Sequence, residues 1–270
     1  SNEVTSCNGI YFNKSLTETS DNLTVHNNII GSIDGCYAIA SLSGDNPTIS
    51  NNDICINDND VNLCNDAYGI YLMGSSGYII DGAEISGNRI DGADATDTTQ
   101  GLLIGVWLGY VDSLTFSNNR IGMTNGFSEF GGSLMRLRDV SNSTFSKGAN
   151  GAFGTSQYGI LFNVGDIHDN TFENFDITWV AGTPSGETDN LAGFYWNAPR
   201  VYNNTFSNIK ISGVDNAMYN LDGAAEEFNY FDGVSAFSLT NARFSSQDPF
   251  TTAQNGLQSG TPTVNSTTYS

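Results

Sequence analysis

The chain reads as an all-β solenoid of about eight coils with parallel strands. Three observations predict this. A short pattern recurs eight times: a β-branched or aromatic residue, two residues, Asn, one residue, then Ile or Phe. A ladder of glycines opens short apolar strands. The segments around these corners alternate and use Val, Ile, Phe, Thr and Tyr, the residues of a pleated surface, with almost no Leu- and Ala-rich helical run.

The pattern begins at Val25-x-x-Asn28-x-Ile30, Ile49-x-x-Asn52-x-Ile54, Ile85-x-x-Asn88-x-Ile90 and Phe116-x-x-Asn119-x-Ile121. It continues at Val140-x-x-Ser143-x-Phe145, Ile167-x-x-Asn170-x-Phe172 and Val201-x-x-Asn204-x-Phe206, and ends at Glu226-x-x-Asn229-x-Phe231. Successive Asn positions (Ser143 included) lie 24, 36, 31, 24, 27, 34 and 25 residues apart, so loops of varied length join fixed corners. Asn tolerates left-handed backbone angles, which predicts that these residues turn the chain and stack at one bend of the coil. Ile90, Ile121, Phe145, Phe172 and Phe206, two residues further on, are the expected core.

The second ladder is Gly9, Gly35, Gly69, Gly101, Gly132, Gly159, Gly193 and Asn216. Alternation after each assigns an inward set, including Ile70, Leu72, Gly74, Leu102, Ile104, Val106, Met135, Leu137, Ile160, Phe162, Val164, Phe194 and Trp196. It leaves an outward stripe of Tyr11, Tyr37, Tyr71, Leu103, Leu134, Leu161 and Tyr195, with Trp107 close by. A third strand follows at Phe175–Val180 and Ile209–Val214. Three strands per turn with Asn and Gly corners describe a right-handed, single-stranded parallel β-helix over residues 1–246. Residues 247–270, rich in Thr, Ser, Gln, Pro and Gly, read as an irregular tail or linker. Eight levels about 4.8 Å apart make a rod on the order of 40 Å long. No capping helix is evident at either end, and neither an initiator Met nor a signal peptide is present. The chain therefore reads as a mature protein or an excised piece that continues on one side or both.

The formal charge is −20, with 9 Lys and Arg against 29 Asp and Glu. That excludes nucleic acid and anionic membranes as partners. No segment is apolar enough to be expected to insert in a membrane. The acidity fits an extracellular or cell-surface protein or one that holds cations; an acidic surface that only maintains solubility is the alternative. The four cysteines allow Cys55–Cys64, bracketing one loop, and Cys7–Cys36, about one coil apart, as disulfides; four buried thiols are the alternative.

Three candidate sites follow. The stripe of Tyr11, Tyr37, Tyr71 and Tyr195, with Trp107, offers a flat face on which sugar rings or a host protein would stack, unless a loop or the tail covers it. Asp58, Asp60 and Asn62 place oxygens at alternate positions, as at the start of a calcium loop, so Ca²⁺ is a candidate cofactor. Leu63 replaces the turn glycine of such a loop, and Gly69 its bidentate Glu. Asp91, Asp94 and Asp97 form a second acidic loop. Arg136 and Arg138 share a strand with Asp139, and Asp166 and His168 lie one coil on. That is the best catalytic cluster in the chain, with surface charge as its bland alternative.

In these motifs the chain resembles the broad class of parallel β-helix repeat proteins, the pectate-lyase-like superfold, over roughly residues 9–232. Gly131-Gly132-Ser133-Leu134 and Phe116-Ser117-Asn118-Asn119 loosely resemble the tetrads of chlamydial polymorphic membrane proteins. The resemblance implies a non-catalytic, adhesin-like binding or structural module whose partner is a glycan or a cell-surface protein. A polysaccharide lyase, hydrolase or epimerase acting on an acidic glycan is the alternative. The Gly-His-Gly signature of pectin hydrolases and the Asp-Pro-His-Glu signature of alginate epimerases are absent.

Overall fold

A computed structural model describes residues 8–12, 22–34, 37–42, 44–57, 66–92, 102–122, 132–149, 152–153, 158–178, 192–212 and six short strands between 216 and 264. The described residues are all-β, without helices, and the strands pair in parallel across three sheets. The long sheet runs through Asn8–Phe12, Tyr37–Ser41, Asp66–Met73, Leu102–Asp112, Ser133–Ser141, Tyr158–His168, Ala192–Trp196 and Asn216–Asn220. The second begins at Thr24–His26 and Thr48–Ser50, and the third at Ile29–Asp34 and Asp53–Asn57; each has nine strands. The chain visits the sheets in a fixed cycle, so each strand's neighbour is its counterpart one level on. This arrangement is compatible with a parallel β-helix. Gly256–Ser259 pairs with Tyr230–Asp232 and Thr263–Val264 with Ser235–Phe237, so the ladder runs on beyond residue 247.

The expected core positions are all fully buried: Ile90, Ile121, Phe145, Phe172 and Phe206. They belong to two sheets. Ile90 and Ile121 lie in the third, whereas Phe145, Phe172 and Phe206 stack in the second, with Phe172 4.8 Å from Phe145 and 5.0 Å from Phe206. The eight copies of the pattern therefore mark two corners, not one. Asn28, Asn52, Asn88 and Asn119 lead into the third sheet; Ser143, Asn170 and Asn204 lead into the second. Asn229 lies outside the described residues.

The cause assigned to these asparagines also needs correction. The left-handed residue is the one before: Asn27, Asn51, Gly87 and Asn118 at one corner, and Asn142, Asp169 and Asn203 at the other. The following Asn turns its side chain inward. Asn88 Oδ1 accepts from the backbone N–H and Nδ2 of Asn52, at 3.0 and 2.9 Å, and Asn88 Nδ2 donates to Ile49 O and Asn119 Oδ1. Asn170 and Asn204 repeat this at the other corner. Each buried amide thus satisfies backbone groups where the ladder bends, as buried polar groups must be.

Register in the long sheet departs from the glycine alignment. Gly69 is matched by Gly105, not Gly101, and Gly105 by Leu134, not Gly132. These shifts are even-numbered, so most inward assignments survive. Two kinds fail. At Gly69, an added Cβ would collide with Gly105 O and with Ile90 of the third sheet, so position 69 faces the core, as does its neighbour Ile70, and alternation is broken. Leu103 and Leu134 consequently join the core instead of the outer stripe. Ile104 is buried too, but stands outside the continuous core, in register with Tyr68. Val164, expected inside, is 43 % exposed, because the ladder slips a residue between Leu137–Phe162 and Arg138–Val164; it slips again before Val140–Ile167.

Cys55 is a free thiol and not half of a bridge; burial, then the nearby Asp91 carboxylate, pushes its pKa up. Cys7, Cys36 and Cys64 lie outside the described residues, as do Asp58, Asp60, Asn62, Asp94 and Asp97. Asp91 is buried and pairs with Arg89 at 2.8 Å.

Candidate functional site

Two features occupy the outer face of the long sheet. The first is an aromatic line. In register, Tyr71 is followed by Trp107, Arg136, Leu161 and Tyr195. Tyr37 and Tyr68 form a second file beside it. The rings pack on one another: Tyr11 to Tyr37 at 6.0 Å, Tyr37 to Tyr71 at 4.6 Å, Tyr68 to Trp107 at 5.3 Å and Tyr71 to Trp107 at 5.7 Å. Arg136 lays its guanidinium 5.4 Å from the Trp107 ring centre and is buried there, so it does not join the charged cluster. Mutual packing leaves Tyr37, Tyr71, Trp107 and Tyr195 half-buried, and Tyr11 at 42 % is the most exposed ring. Burial, reinforced by Tyr37, pushes the Tyr71 phenol up to about 12.

The second feature is an open cavity of about 340 Å³ where the long strands bend. It is lined by Ser76, Ile79, Tyr110, Val111, Asp139, Ser141, Asp166 and His168. The bend places left-handed residues at three successive levels: Tyr110 (φ 53°), Asp139 (φ 48°) and Gly165 (φ 76°). Such angles are rare for a bulky side chain and mark local strain at Tyr110. Asp139 Oδ1 accepts the Asp166 N–H at 3.0 Å, and its carboxylate fills the space a Cβ on Gly165 would need.

The expected cluster of Arg138, Asp166 and His168 does come together here. Arg138 donates to Tyr110 Oη at 2.9 Å, lies over the Tyr110 ring and sits 3.6 Å from Asp139. Arg200 pairs with Asp166 at 3.1 Å. His168 Nδ1 is 2.7 Å from Asp169 and its ring stacks on Tyr202 at 4.8 Å. Tyr110, Arg200, Tyr202 and the Ser76–Ile79 lip were not singled out from sequence. The signal that finds them is register: Asp112, Ser141, His168 and Tyr202 occupy one row on successive levels. Among the described residues no group of His, Cys, Asp and Glu is arranged to hold a metal ion.

Beside the cavity, Asp112 accepts from Ser141 Oγ at 2.6 Å, Asn142 Nδ2 at 2.7 Å and Ser113 Oγ at 2.8 Å. Burial alone would raise its pKa, but these donors, aided by His168, outweigh burial and hold the carboxyl below the usual carboxylate range. The folded value then lies below the unfolded value of about 3.9, so this stabilisation is full at neutral pH and is lost as pH falls through the folded value. Asp112→Asn should therefore lower Tm at pH 7, and the deficit should shrink in thermal melts taken towards pH 3. A deficit that grows on acidification contradicts the assignment.

No protein-family model, curated protein or solved structure matches the chain.

Proposed function

We propose that the chain is a right-handed parallel β-helix from an extracellular or cell-surface protein, acting as a non-catalytic, adhesin-like module that binds a glycan or a cell-surface protein. The cyclic order of the strands across three parallel sheets supports the fold. The observation that carries binding is the aromatic line from Tyr11 to Trp107, outside the core and continued by Tyr158 and Tyr195, whose rings lie 4.6 Å apart. Rings held by their neighbours offer stacking area at little further cost in side-chain freedom.

The lyase alternative rests on Arg138, Asp166 and His168. Their partners favour recognition over chemistry: Asp166 faces Arg200, Arg138 faces Tyr110 and Asp139, and His168 faces Asp169. A general base must instead turn its accepting atom to the substrate. The test is a glycan array read both for retention and for new products. Tyr71→Ala and Tyr195→Ala should weaken retention about tenfold, roughly the 1.4 kcal/mol of one lost ring contact, and lower Tm by only a few degrees through lost ring packing. Turnover of any polysaccharide that His168→Ala abolishes would replace binding by catalysis.

A further inference from the structure

We propose that the cavity at the bend is a sugar subsite for a neutral pyranose and discriminates against uronates. This rests on the glycan-binding function above and adds the ligand class. The cavity, about 340 Å³, lies at the small end of the range for small-molecule sites, about 300–1,000 Å³.

Its lining has the two faces a pyranose has. Ile79, 55 % exposed at the lip, and Tyr110 present apolar surface for ring C–H groups. Asp139, Asp166, Ser141 and His168 present oxygens and an imidazole for hydroxyls. Carboxylates accept from hydroxyls in charge-assisted bonds, stronger than those between neutral groups. The Asp139 carboxylate is also pinned to the backbone of the next level through Asp166 N–H, so it is ordered before a ligand arrives.

Charge sets the class. Asp139 and Asp166 line the cavity, and Asp112 and Asp169 bond to its lining residues Ser141 and His168, against two guanidinium groups, Arg138 and Arg200, and the imidazole of His168. Arg200 is already drawn to Asp166, Arg138 to Asp139 and His168 to Asp169. A uronate carboxylate entering here would face an excess of like charge, within a chain of net charge −20. A neutral sugar meets no such opposition.

The experiment uses sugar pairs that differ only at C6: the methyl glycosides of glucose and glucuronic acid, and of galactose and galacturonic acid. Binding to the whole protein is followed by calorimetry and ligand-observed NMR. The expected result is binding of at least one neutral glycoside, with its uronate at least tenfold weaker and the gap narrowing in 0.5 M salt, where charges are screened. Asp166→Asn and Asp139→Asn should each weaken the neutral sugar about tenfold. Asn also tolerates the left-handed angle at 139, and Asp166→Asn alters a side chain at the surface, so a folding defect in one leaves the other usable. A uronate bound as well as its neutral partner, or wild-type affinity in both variants, overturns the subsite. If oligosaccharides bind and only Tyr71→Ala weakens them, the subsite fails and the binding function stands. If no glycan of any class binds, the subsite and the glycan-binding reading both fall, and a cell-surface protein is left as the partner.

Discussion

Phe172→Ala should lower the free energy of unfolding by about 3–5 kcal/mol, the range for deleting a buried aromatic ring. Phe172 is fully buried at the centre of a column, stacked within 9° of parallel on Phe145 and Phe206. Phe162 and Phe194 close the same space from the long sheet at 5.4 and 6.0 Å. Walls built from neighbouring levels are fixed by their own ladders, so they cannot collapse into the cavity, and the cost should fall at the upper end of the range. Phe172→Leu keeps much of the volume and should cost less than half as much. Chemical denaturation of the three proteins checks this; a loss below about 1 kcal/mol for the alanine variant would mean that the column is not a packed core.

Asn88→Ala should be comparably severe, about 3–5 kcal/mol, although it removes only a small side chain. The backbone N–H of Asn52 loses its acceptor and the carbonyl of Ile49 loses a donor, both at a buried corner. Each orphaned group costs about 1–3 kcal/mol. Asn28→Ala provides the control. Asn28 is only partly buried at the first level of this corner, and its loss should cost about 1 kcal/mol. Equal losses for the two variants would show that the amide acts by propensity and not by satisfying its neighbours.

The core was legible because burial repeats at every level. Ile90, Ile121 and Phe172 follow the same short pattern whichever sheet they enter, so the pattern found them without resolving the corner. The corners misled for the opposite reason. Asn27-Asn28, Asn51-Asn52, Asn118-Asn119 and Asn203-Asn204 pair a residue that bends the backbone with one that fills the inside of the bend, and composition does not tell them apart. The outer stripe failed at Leu103 and Leu134 because alternation holds only along a regular strand, and at Gly69 and Ile70 two successive positions face the core. In the cavity, Asp166 and His168 were legible through their closeness to Arg138 one level away. Tyr110 and Arg200 were not, because placing them requires the register across several levels and through the slips on either side of Arg138.

The move of the amide column from one corner to the other makes the levels unequal as building parts. A copy of the stretch from Asn52 to Asn88, inserted beside its parent, would extend the column it came from. The same copy inserted after Phe175, the counterpart of Asn52, would set its amide between Phe175 and Ile209, which occupy that corner there and are both buried. It would also put an apolar residue such as Ala83 between Asn170 and Asn204, cutting the other column. Lengthening by duplication is therefore neutral within each half of the chain and costly across the junction between Asn119 and Ser143, which makes that junction a barrier to shuffling levels from one half into the other.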